Sequence, residues 1–109
     1  LTLSVDHLIL TTGPAHRALT DSQPFLQALA RRGLIRADAL GMGLEVDSRS
    51  RAVAEPHVEA LPVLVAGPAA RGRFGELMGL PQVADHAADV AAQALLTLGI
   101  PQDSRCPAY

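Results

Sequence analysis

Lysine and tryptophan are absent from the chain, aromatic residues make up only 3%, and cysteine occurs once. Each shortage excludes something. Without aromatics, a core has to be assembled from Leu, Val and Ala. All nine basic residues are arginine, they are scattered, and the net charge is −2. That argues against a nucleic-acid surface. The lone Cys106 has no partner for an internal disulfide, so a reducing, cytoplasmic setting is expected. No apolar run approaches the ~20 residues of a membrane span, and no basic-then-apolar leader is visible. His7, His16, His57 and His86 lack close ligand spacing, so no metal site is expected. Familiar catalytic motifs are missing too. With no lysine there is no phosphate-binding Walker loop, and neither G-x-S-x-G nor a G-x-G-x-x-G after a strand occurs. Gly41-Met-Gly43 holds only the first half of that last spacing and precedes a hairpin pattern.

What is present suffices for one domain. The chain has 109 residues, 49% of them hydrophobic, and a chain of this size buries about 65% of its unfolded surface. A single α/β domain is expected over residues 1–101, with 102–109 a loose tail. The chain opens at Leu1 and enters a strand-like pattern within a few residues, which is the expectation for a piece of a larger protein.

Val5 to Thr11 reads as a strand whose consecutive apolar Leu8, Ile9 and Leu10 suit burial on both faces. Ser22 or Gln23 can cap a helix with Pro24 in its first turn and Phe25, Leu26, Leu29 and Ala30 as its buried stripe. Arg31, Arg32 and Gly33 then end that helix. Leu44–Val46 and Arg51–Val53 flank Asp47-Ser-Arg-Ser50 as a hairpin. Val63 to Ala66 is the second buried strand. Glycines at 72, 75 and 79 predict a loop with one helical turn near Gly75 to Met78. A long helix follows from Pro81 to about Leu98, with Val83, Ala87, Val90, Ala91, Ala94, Leu95 and Leu98 inward, and Gly99 and Pro101 stop it. The order predicts an α/β fold, mostly parallel strands plus one β-hairpin, with a long C-terminal helix packed on the sheet.

Both predicted strands run into Gly-Pro, at residues 13–14 and 67–68, and each is followed by arginine. Ligands of open α/β sheets collect beyond the carboxyl ends of strands. Glycine there lets bare backbone approach a ligand, and proline stiffens the turn. Arg71, Gly72 and Arg73 would then face an anion such as phosphate. Against this, Gly-Pro is an ordinary strand terminator and surface arginines are usually solvated. The other polar candidates have plainer readings. His7 suits a half-buried core or interface position. His86, beside Asp85 and Asp89, reads as a solvated helix surface. Glu45 and Asp47 share one exposed strand face rather than forming an acid–base pair. No nucleophile, base and orienting acid can be assembled, so hydrolysis ranks last.

Several segments together resemble the carboxy-terminal part of two-dinucleotide-binding flavoproteins. Asp6-His-Leu-Ile-Leu-Thr-Thr-Gly-Pro14 resembles the strand of their "ATG" motif. Gly41-Met-Gly-Leu-Glu-Val-Asp47 is similar to the hairpin before the last flavin strand. Pro62 to Gly67 resembles the strand of the late "GD" motif, and Pro81 to Leu98 the helix after it. The branch most like this chain is the FAD/NAD(P)-binding bacterial flavoproteins, where the late motif reads Gly-Pro-x-x-Arg-Gly; Gly67, Pro68, Arg71 and Gly72 fit it. The resemblance spans residues 5–98. It implies a Rossmann-like fragment whose Gly67, Pro68, Arg71 and Gly72 line the pyrophosphate or ribityl side of FAD, with Thr12 and Gly13 closing the crevice. The usual "GD" aspartate, which binds the ribityl hydroxyls, is Pro68 here. The implied function is the FAD-contacting segment of an FAD/NAD(P)-dependent oxidoreductase, catalytically silent alone, whose partner is the amino-terminal dinucleotide-binding part of the same protein. The alternative is a small cofactor-free α/β module that associates, as a homodimer, through exposed strand edges.

Overall fold

The computed structural model describes residues 2–9, 11 and 18–100. Its regular elements are all helical: α1 (Leu19–Ser22), α2 (Pro24–Arg31), a 3-10 turn (Gly67–Ala70), α3 (Arg71–Phe74) and α4 (Leu80–Thr97). Extended pairing among the described residues is limited to single antiparallel bridges, Ala37 with Leu44, Val46 with Ala52 and Arg51 with Leu64. This overturns the expected α/β fold of mostly parallel strands. Among the described residues there is no sheet for a Rossmann-like fragment, and α4 has none to pack on. The expected first strand shows why. Residues 2–9 form no strand and are exposed, with Leu8 at 76% and Ile9 at 83%. A buried parallel strand needs a neighbour on each side for its N–H and C=O groups, and none pairs with it among the described residues. His7, expected half-buried, is exposed with them. The predicted tail, 102–109, lies outside the described residues.

The helices follow local rules. α2 starts at Pro24, whose missing N–H costs nothing at a first helical position, after an extended Gln23. Neither expected cap acts as one: Gln23 makes no capping bond, and the Ser22 hydroxyl donates to the Leu19 carbonyl at 2.7 Å. Leu26, Leu29 and Ala30 pack on the core, whereas Phe25 stays exposed. The helix ends as its sequence predicts. Gly33 takes φ +70°, its N–H donates to Ala30 O, and the Leu34 N–H donates to Leu29 O, which together form a Schellman motif. α4 ends the same way, with Gly99 at φ +68°, its N–H on Leu96 O and the Ile100 N–H on Leu95 O.

The core lies in the irregular middle of the chain. Ile35, Leu44, Val46, Ala52, Val65, Ala70 and Leu77 form one buried cluster. Main-chain bonds knit these segments pairwise: Glu45 N–H to Arg36 O, Ala52 N–H to Val63 O and Val65 N–H to Ser50 O. The expected second strand is therefore an antiparallel partner of residues 50–52, not a parallel strand. Asp47-Ser-Arg-Ser50 does turn the chain. Asp47 Oδ1 accepts from the Arg49 and Arg51 N–H groups at 2.8 and 2.9 Å, and Oδ2 from Arg51 Nε at 3.1 Å. Side-chain acceptance of this kind is what favours Asp in turns. Beyond the Val46–Ala52 bridge the predicted hairpin does not lengthen into strands.

Candidate functional site

The Gly-Pro turn and α3 follow directly from Val65. The predicted loop with a helical turn at 75–78 is displaced. The helical stretch spans residues 67–74, and Gly75, at φ +80°, ends it. Gly67 also sits at φ +74°, a region that side chains disfavour. Its N–H points inward and donates to His86 Nδ1 at 3.0 Å. Pro68 is exposed.

Two other glycines permit close contact between segments of this same chain. A Cβ on Gly43 would sit 2.2 Å from the Ala69 carbonyl oxygen. The Leu44 N–H donates to that same oxygen at 2.8 Å. A Cβ on Gly72 would sit 2.7 Å from the Asp38 carboxyl carbon. Asp38 is held there because its carboxylate accepts the Leu40 N–H at 2.7 Å and the Met42 N–H at 3.0 Å. The Gly41-Met-Gly43 loop thus docks on the Gly67–Phe74 segment, and bare backbone there faces protein.

Behind the turn lies a small buried polar group. His86, on α4, is only 6% exposed. This corrects the solvated position expected from its Asp85 and Asp89 neighbours. Its Nε2 lies 3.0 Å from Ser50 Oγ, and the Phe74 ring packs against the imidazole with centroids 4.7 Å apart. A main-chain N–H can only donate, so Nδ1 must accept, and the ring proton resides on Nε2 and points at Ser50. The pair has the spacing of a nucleophile and its base, but the proton is on the wrong nitrogen for that chemistry. A periodicity signal for His86 does exist. It lies three residues after Val83 and four before Val90, so it falls in the inward stripe, whereas Ala87 and Ala91 are exposed.

Arg71 differs from these satisfied groups. Its Nε is buried without a hydrogen-bond partner, and Nη1 reaches only the Met78 sulfur at 3.6 Å. Of the six predicted contacts, the structure brings Gly67, Pro68, Arg71 and Gly72 into one helical stretch; Thr12 and Gly13 lie outside the described residues. Two open clefts of about 420 and 500 Å³ include none of those four residues in their linings, whereas Gly72 and Arg73 border a smaller one of about 200 Å³. A third, beside His86 and Phe74, measures about 220 Å³, below the roughly 300 Å³ at which small-molecule pockets begin.

The carboxylates weighed at the sequence level are occupied. Glu45 receives Arg36 in a two-pronged ion pair, Nε to Oε2 at 2.8 Å and Nη2 to Oε1 at 3.0 Å. That hydrogen bond raises the Arg36 guanidinium above its ordinary value, outweighing burial, with the charges of Glu45 and Glu55 adding to it. Burial by itself would raise the Asp47 carboxyl. The N–H groups of Arg51 and Arg49 and the Arg51 guanidinium outweigh it and hold Asp47 below its ordinary value. Among the described residues no three His, Cys, Asp or Glu side chains gather, and no helix is long and apolar enough to cross a membrane. The chain matches no family model, no curated protein and no solved structure.

Proposed function

We propose that this chain is the flavin-contacting segment of an FAD- and NAD(P)-dependent oxidoreductase, with Arg71 as its anion contact. The observation that carries this reading is the Arg71 Nε–H, buried and without an acceptor. Leaving such a donor unsatisfied costs about 1–3 kcal/mol, so a turn of the half-buried Arg71 side chain that brought this N–H to an acceptor at the surface would be favoured. A phosphate oxygen suits it, because guanidinium N–H groups match phosphate in charge and geometry.

The fit is narrower than the motif alone implies. Gly67 gives its N–H to His86, and Gly72 packs on Asp38, so these glycines shape the turn that carries Arg71. Pro68 offers no carboxylate to ribityl hydroxyls. A bound flavin supplies the redox chemistry; this chain's residues hold and orient it. The exposed Leu3, Val5, Leu8 and Ile9 give a second support. An exposed apolar segment of this kind is covered when the dinucleotide-binding part of the same protein packs on it.

The chain alone is then catalytically silent and binds FAD weakly or not at all. Sub-micromolar FAD affinity in a calorimetric titration of the isolated chain would count against the reading. In the native protein, Arg71→Ala should lower flavin content at least tenfold. Unchanged flavin absorbance in that variant overturns it. The exposed segment also favours a second reading, a cofactor-free module that self-associates. A stable dimer by sedimentation, together with flavin-free native protein, would select it.

A further inference from the structure

We infer that His86 is a positioning residue: its imidazole, locked in one tautomer, pins the Gly67–Arg71 turn to Ser50 and so sets where the Arg71 guanidinium points. The consequence for Arg71 rests on the flavin reading above; the pin itself does not.

Three elements meet at this ring. Gly67 N–H reaches Nδ1 and Nε2 reaches Ser50 Oγ, both at 3.0 Å. The Phe74 ring, at the end of α3, closes over one side. Ser50 is itself tightly held. It adopts φ +59°, uncommon for a residue with a Cβ. Its N–H donates to Asp47 O and its carbonyl accepts the Val65 N–H. The ring therefore connects the Asp47–Ser50 turn on one side to the Gly-Pro turn on the other, across 36 and 19 residues of chain respectively. Buried polar groups with every partner made specify one arrangement and lose it when one partner goes. Four residues after Gly67 stands Arg71, in the adjoining turn of helix. A shift at Gly67 moves that side chain directly. A merely space-filling aromatic would need neither nitrogen.

Two substitutions separate the ring's two bonds. Asparagine places an amide oxygen near Nδ1, so His86→Asn keeps an acceptor for Gly67 and drops Ser50. Glutamine reaches the Nε2 position with an N–H, so His86→Gln keeps Ser50 and drops Gly67. In the full chain, hydrogen exchange at the Gly67 amide should quicken on the order of tenfold or more in His86→Gln and stay near wild type in His86→Asn. Nitrogen-15 spectra of the unmutated chain should show Nδ1 bare and Nε2 protonated at neutral pH, with a coupling between Nδ1 and the Gly67 amide. A protonated Nδ1, or Gly67 exchange that ignores His86→Gln, overturns the pin, and the spectrum decides the matter even if a variant fails to fold. In the native flavoprotein, flavin content should fall with His86→Gln and recover with His86→Asn. Should the spectra and exchange behave as stated while flavin content ignores both variants, the pin stands and the flavin reading fails.

Discussion

Leu8-Ile9 and Leu64-Val65 are near twins in composition, yet they have opposite fates. The first is irregular and exposed, with Ile9 at 83%. The second is threaded into the core, with Val65 at 7%. Hydrophobicity does not separate them. Hydrogen-bonding neighbours do. Val63 and Val65 run beside residues 50–52, which exchange main-chain bonds with them in both directions. On the other side of residues 50–52, Asp47 folds the chain back on Val46 with its own carboxylate. Among the described residues, none exchanges main-chain hydrogen bonds with residues 2–9. An apolar run is buried only where its amide groups are also satisfied.

The sharpest way to break this comparison is truncation on both sides of it. Ile35→Ala, in the cluster that Val65 joins, should cost about 3 kcal/mol, a typical figure for emptying a full core position. Equilibrium urea unfolding reads it directly. Gly43→Ala comes next, at about 2–3 kcal/mol, because its Cβ collides with the Ala69 carbonyl and the docking of the two loops must give way. Loss of only a few tenths there would show that the contact yields freely. Asp47→Ala should cost about 1 kcal/mol through the lost turn bonds.

Asp47 also carries a pH signature. Its folded value lies below the ordinary 3.8. Its contribution is therefore fully present above that ordinary value and is lost as pH falls through the folded one. The carboxyl is more than a third exposed, so the effect is modest. Asp47→Asn should flatten this acid limb in unfolding curves measured between pH 5 and 2, and an unchanged limb would assign it to other groups. The smallest effect is expected at the exposed twin. Ile9→Ser in this chain alone should change stability by less than about 0.5 kcal/mol. In the native protein the same substitution should approach the cost of a core truncation, if the dinucleotide-binding part covers residues 2–9.

Of the candidate site, the sequence pattern Gly-Pro-x-x-Arg-Gly marks out Arg71, and the structure adds that its Nε is buried without a hydrogen-bond partner. Gly67 and Gly72 were also singled out, but for a ligand's approach; their actual neighbours, His86 and Asp38, come from 19 residues after and 34 residues before. No local pattern announces such partners. His86 was read as solvated because charged neighbours flank it in sequence. On a helix the neighbours that matter are three and four residues away; these include Val83 and Val90 as well as Asp89, so the packing of α4, not the local pattern, decides that the Val90 side turns inward.

Sequence alone determined the pieces governed by short-range geometry. The ends of α2 and α4 follow from glycines that accept a left-handed φ, and the Asp47 turn from a carboxylate two and four residues from the amides it binds. Tertiary structure alone decided the rest: which apolar run found a partner, which face of α4 turned inward, and which glycine met backbone rather than open space. Those outcomes depend on groups distant in the chain satisfying one another's hydrogen bonds and volumes at once, and no window of neighbouring residues contains that information.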